Sequence, residues 1–219
     1  MNPISRGEFL KLGSLSLLGA LVSDSVLAND RFFSATAAKV DLDLIQKLIL
    51  NNDANVKVII QKEAINATTR LSNFRPLATN IAVLSASVSH PKSVFYKSKI
   101  VVERLNQSAD VLLKGQYSDG TVDAGGNRQS PPDTAFVLEW ICSAATVLND
   151  NKQKQLEDLR NKLKTFIQNA GEAMITGGVH TPNHRWVVCA ALANINSLYP
   201  DVRYINRIDQ WLAEGIYLN

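Results

Sequence analysis

Pro131-Pro132-Asp133-Thr134-Ala135-Phe136-Val137-Leu138-Glu139-Trp140-Ile141-Cys142-Ser143-Ala144-Ala145-Thr146-Val147-Leu148 decides the fold class. Two prolines precede an acid of the type that caps helix starts, and a solid apolar run follows. Asp133 is therefore expected to cap a helix over residues 135–148. Downstream, Leu156, Leu159, Leu163, Phe166 and Ile167 repeat at helical spacing, with an end expected near Gly171. Thr181 or Asn183 is expected to cap a helix over 186–198, broken by Pro200. A last helix runs from 202 to about 213, with Ile205, Ile208, Trp211 and Leu212 on one face. Upstream, Val94, Ile100, Val101, Leu105, Ala109, Leu112 and Leu113 make a helix that stops at Gly115. Residues 75–89 are apolar and small and end at His90-Pro91, and Leu42, Ile45, Leu48 and Ile49 again have helical spacing. Only 56–65 reads both ways, because Val56-Lys57-Val58-Ile59-Ile60 also suits a strand. No segment shows sustained alternation, so the expectation is an all-α chain of helical pairs joined by loops.

Composition agrees with a packed domain. Of 219 residues, 46% are hydrophobic and 20% charged, enough apolar material for a core and too much for a disordered chain. The length allows one domain or two small ones. The net charge of +3 comes from scattered Lys and Arg, with no basic arm, so nucleic acid is not expected as a partner. Cys142 and Cys189 are too few for a cysteine zinc site. Both lie in apolar helical runs, where buried free thiols and a single disulfide remain alternatives.

Residues 1–28 read as an export signal. Arg6 and Lys11 are followed by an apolar run over 12–22, and Val26-Leu27-Ala28 carries the small residues a signal peptidase reads. The run is shorter than a stable span, so no membrane insertion is expected after cleavage at Ala28. Ser5-Arg6-Gly7-Glu8-Phe9-Leu10-Lys11 resembles the twin-arginine export pattern, with Gly7 where the second arginine would stand. Both general and twin-arginine secretion stay open, as does a buried N-terminal helix. The expected location is periplasmic or secreted, with residues 29–219 forming the helical domain.

Two loops exceed what a helical connection needs. The first, 116–132, is rich in Gly, Asp and Asn. Asn127 and Arg128 are candidates for a substrate-binding rim, and solvated turn chemistry is the alternative. Its spacing is not that of an EF-hand. The second, 176–186, gathers His180, Asn183, His184, Arg185 and Trp186, including two of the three histidines. A histidine can take a proton near neutral pH, an amide and a guanidinium can hold a carboxylate, and an indole can stack on a sugar. That set suits proton abstraction beside a uronate carboxylate. The plain alternative is a capped helix start, with Asn183 as cap, Trp186 in the core and the histidines incidental. Each loop precedes an apolar helix, so both are expected at one end of the stack, where they could build one cleft. No phosphate loop, dinucleotide fingerprint or nucleophile elbow occurs, so no cofactor is expected. His180 and His184 have no indicated third ligand, and Pro182 between them spoils a helical pair, so no metal is expected.

Gly125-Gly126-Asn127, Ser130-Pro131-Pro132-Asp133-Thr134-Ala135-Phe136, Gly177-Gly178-Val179-His180-Thr181-Pro182-Asn183-His184-Arg185-Trp186 and Arg207-Ile208-Asp209-Gln210-Trp211-Leu212-Ala213-Glu214-Gly215-Ile216 resemble the α-toroid part of bacterial heparinase II/III-like proteins. The resemblance covers roughly residues 95–219. It implies an incomplete (α/α) toroid of helical hairpins, here an N-terminal fragment of a larger lyase. It implies β-elimination on an acidic, uronate-containing polysaccharide or oligosaccharide. Asn183 and His184 match the pair that neutralises the carboxylate and moves the proton. Arg185, Trp186, His180, Asn127 and Arg128 would bind substrate. The family's acidic tyrosine would lie beyond Ile216, and Tyr217 lacks its context. Two alternatives belong to other classes: a toroid hydrolase of unsaturated uronyl sugars using Asp123 or Asp133, and a non-catalytic carbohydrate-binding module.

Overall fold

A computed structural model describes residues 41–64, 66, 71–179 and 181–214. The expected export signal at 1–28 lies outside the described residues, as does His180. Among the described residues seven α-helices follow one another: α1 Leu42–Gln61, α2 Arg75–Ser89, α3 Lys99–Gly115, α4 Pro131–Asp150, α5 Glu157–Thr176, α6 Pro182–Leu198 and α7 Val202–Ala213. A short 3-10 turn, Lys154–Leu156, leads into α5. Among the described residues no strand forms. The only sheet-like pairing there is one isolated bridge between Ala124 and Asn127. The all-α expectation holds.

α4 is the centre of the molecule. Eleven of its twenty residues are buried, including Ala135, Leu138, Ile141, Cys142 and Leu148, and they are spread around the helix. A helix apolar on most sides must be covered on most sides. α2, α5 and α6 cover it. Helices two apart in sequence lie side by side: α2, α4 and α6 form one layer, and α1, α3, α5 and α7 the other. Phe74, Leu105, Leu112, Leu156, Leu159, Leu163 and Phe166 fill the space between them with no exposure beyond 1%.

Several element boundaries differ from expectation for identifiable reasons. α4 starts at Pro131, and Ser130 holds the N-cap position with its hydroxyl accepting from the Asp133 N–H at 3.4 Å. Asp133 is therefore three residues inside the helix, not its cap. Pro131 and Pro132 occupy the first turn, where a missing N–H costs nothing. Gly171 does not end α5, which continues to Thr176. The glycine is needed for contact, because a Cβ there would stand 2.6 Å from the Tyr204 hydroxyl of α7. The ambiguous 56–60 stretch is helical within α1, where Val56 is buried and Val58 exposed. Val94 stays outside α3 in a turn and is 72% exposed. α7 buries Tyr204, Ile208 and Trp211 at i, i+4 and i+7, while Ile205 faces out. Both cysteines are buried free thiols.

The layering puts both long loops at one end of the stack. Arg75 at the start of α2 reaches Asp133 at the start of α4 at 2.7 Å. A side chain at Gly177, just after α5, would collide with the Pro131 ring. Arg185 at the start of α6 reaches Glu214, just past α7, at 2.9 Å.

Candidate functional site

The first loop is built like a fixed platform. Gly125 and Gly126 have φ of 61° and 90°, a left-handed pair that lets the chain reverse in two residues. Ala124 and Asn127 on either side exchange both backbone hydrogen bonds, at 3.2 and 3.1 Å. The Asp133 carboxylate accepts from Arg75 Nη2 at 2.7 Å, Asn127 Nδ2 at 2.8 Å and Ser130 Oγ at 2.8 Å. The Arg75 guanidinium also lies 4.3 Å from the Phe136 ring centre. Asp119 accepts from the Thr121 N–H and hydroxyl, and the Tyr117 hydroxyl donates to both oxygens of the buried Asp123 at 3.0 Å. The Phe74 N–H donates to the Asp123 carbonyl, which seats the loop on the start of α2.

An open hollow of about 320 Å³ lies against this platform, lined by Leu71, Ser72, Asp123, Gly126, Asn127 and Arg128. Asn127 and Arg128, the candidate rim residues of this loop, are among the residues that line it. Asn127 is also tied to Asp133, so its amide helps to hold the loop as well as line the hollow. Asp133, an alternative acid for hydrolysis, is engaged by three donors and acts as the anchor of the loop. Asp123 borders the hollow. Leu71 and Ser72 carry no sequence signal of a site; they arrive through the folding of the segment before α2.

The second loop ends in the first turn of α6. Thr181 holds the N-cap position, Pro182 follows, and the His184 N–H donates to the Thr181 carbonyl at 3.0 Å. Asn183 is thus inside the helix and is not its cap. The Thr181 hydroxyl donates to Asn183 Oδ1 at 2.6 Å, so the Nδ2 end of that exposed amide faces away from Thr181. His184 is half-buried, and Trp186 is 38% exposed and therefore outside the core. Arg185 pairs with Glu214 and lies 6.0 Å from the ring centre of Trp211. Arg207 covers the same ring at 4.3 Å and donates to the Gly177 carbonyl at 2.9 Å, which fixes the start of the loop. Asn183, His184, Arg185 and Trp186 are thus gathered on one helix start.

The two loops share an end of the helical stack. Among the described residues, those lining the 320 Å³ space come from the first loop and the segment before α2, and none from 176–186. The thiols offer no nucleophile. Burial pushes Cys142 up to about 12 and Cys189 up to about 11, the latter against the pull of Arg185 and Arg207. Among the described residues no cluster of His, Cys, Asp or Glu is arranged to hold a metal ion, and no helix is long and apolar enough to cross a membrane.

Comparison with known proteins finds no matching family model, no matching curated protein and no matching solved structure.

Proposed function

We propose that this chain handles acidic polysaccharide as part of a β-eliminating lyase, with the start of α6 as its reacting centre and the two helical layers as part of an (α/α) toroid. One observation carries the reading. Four residues able to serve this chemistry occur consecutively at one helix start, with Asn183 and Trp186 exposed to an incoming sugar. The chemistry needs a base at the proton beside a uronate carboxylate. It also needs donors that offset the negative charge building on that carboxylate as the C–H bond breaks. His184 takes the proton. The Asn183 amide donates to the carboxylate, and Trp186 offers a face to the ring. The C–H electron pair then forms the double bond as the C–O bond breaks; the departing glycosidic oxygen takes a proton from water, and His184 returns its proton to solvent.

The test is the appearance of a conjugated double bond, followed by ultraviolet absorbance, on an acidic polysaccharide. His184→Ala should lower turnover about 10²-fold or more, as expected for loss of a general base. His180→Ala should act mainly on binding. Asn183→Asp separates catalysis from structure, because it keeps a short polar side chain while placing a like charge against the uronate. Lost activity at unchanged melting temperature is expected. Equal, small effects of both histidine changes would remove His184 from the reacting position. Loss of an existing double bond from an unsaturated sugar would instead favour the hydrolase reading, with Asp123 at the hollow as its acid.

A further inference from the structure

The Arg185–Glu214 pair is unequal. The arginine side chain is 18% exposed and the glutamate 53%. The guanidinium is held within the α6–α7 contact, near the Trp211 ring, while the carboxylate approaches it from the solvent side by one oxygen, Oε2, at 2.9 Å. Glu214 sits at the C-cap of α7 and so contributes a short reach from a fixed point. Arg207, the other cation at this ring, is committed to the Gly177 carbonyl and Gln210. Arg185 is therefore the cation at this helix start whose described partner is a solvent-facing carboxylate.

We propose that Glu214 occupies on Arg185 the place that a substrate carboxylate takes during binding, making it an internal competitor that tunes the affinity for acidic ligands. This rests on the acidic-sugar reading above. Glu214 is the exposed side of the pair, so an incoming carboxylate can take its place on Arg185 from the solvent side while the guanidinium stays in the α6–α7 contact. The exchange is charge-neutral for Arg185, which passes from one carboxylate to another. A neutral sugar cannot make that exchange and must leave the internal pair in place. Glu214 thereby competes with uronates for Arg185 and lowers their affinity, while binding of neutral sugars does not depend on it.

The experiment measures binding of a linear glucuronate tetramer and of the matching neutral glucose tetramer by calorimetry. Glu214→Gln should tighten the charged ligand by about threefold to fivefold and leave the neutral one unchanged. In an Arg185→Ala background the same change should have no effect, because the competition has lost its object. Unaltered or weakened glucuronate binding in Glu214→Gln, with wild-type binding intact, would overturn this proposal alone. Equal tightening in the Arg185→Ala background would also overturn it, since that is the signature of diffuse charge. If neither the wild-type protein nor Glu214→Gln binds the glucuronate tetramer, both this proposal and the acidic-sugar reading fall.

Discussion

Arg75, Asn127 and Ser130 all donate to one buried carboxylate, so removing Asp133 strands three donors at once. Breaking one side of a buried, hydrogen-bonded ion pair costs on the order of 3–5 kcal/mol, less where the partner can reach water. The Arg75 side chain is 38% exposed, so Asp133→Ala is expected to lose about 2–3 kcal/mol by chemical denaturation. Asp133→Asn should lose less, because an amide oxygen still accepts. If Asp133→Ala is as stable as the wild-type protein, the carboxylate does not anchor the loop. The acid's importance could be read in the sequence from its place after two prolines, but its role could not. Its partner Arg75 lies 58 residues away, and no local pattern announces that pairing. Asn183 shows the same limit at shorter range. Thr, Pro and Asn in succession mark a helix start, yet only the backbone decides that Thr181 takes the cap position and Asn183 the first turn.

Helices were legible where one face is apolar at regular spacing, as along α5 and α7. Their ends were harder to read, because a glycine can serve either to stop a helix or to let another one approach. Gly171 does the second. A Cβ there would meet the Tyr204 ring and hydroxyl at 3.0 and 2.6 Å. Gly171→Ala gains about 1 kcal/mol of helix propensity but forces α5 and α7 apart, and overpacking of this kind costs about 1–3 kcal/mol. Net destabilisation is expected, read as a lower midpoint of denaturation, with a smaller penalty in a Tyr204→Phe background where the nearest atom is gone. Equal penalties in both backgrounds would mean that the hydroxyl is not the limiting contact. The β-branched run at 56–60 was ambiguous for a related reason. Its local preference favours a strand, whereas packing of Val56 and the polar contacts of Asn52 and Asp53 hold it as helix. Those contacts involve α2 and the turn after it, which a local window does not see.

Across the molecule, cohesion is uneven. α4 is enclosed by neighbours, whereas α1 lies at the edge of its layer and buries only Asp53 and Val56, with Leu42, Leu44, Leu48 and Leu50 largely exposed. Polar contacts do much of the holding. Asp53 Oδ1 accepts from Ser87 at 2.7 Å and Ser93 at 2.6 Å, and Oδ2 accepts from the Val94 N–H at 3.0 Å. Arg104 of α3 donates to the Ile59 and Lys62 carbonyls at the other end of the helix. Burial alone would raise the Asp53 carboxyl. The hydrogen bonds from Ser93, Ser87 and Val94, aided by Lys57, outweigh it and hold the group below its ordinary value of 3.8. A carboxyl lowered in the folded state stabilises fully above its unfolded value and loses that contribution as pH falls through the folded one. α1 should therefore loosen below about pH 4 before the layers around α4 open. Hydrogen exchange by mass spectrometry checks this: amides of α1 should lose protection first on acidification, while those of α4 persist. Asp53→Asn removes the charge at every pH and weakens the acceptors for Ser93 and Val94, so α1 should already exchange faster at neutral pH and respond little to acid. If α1 and α4 lose protection together in the wild-type protein, the edge helix is not a separate unit, and Asp53 contributes to global stability alone.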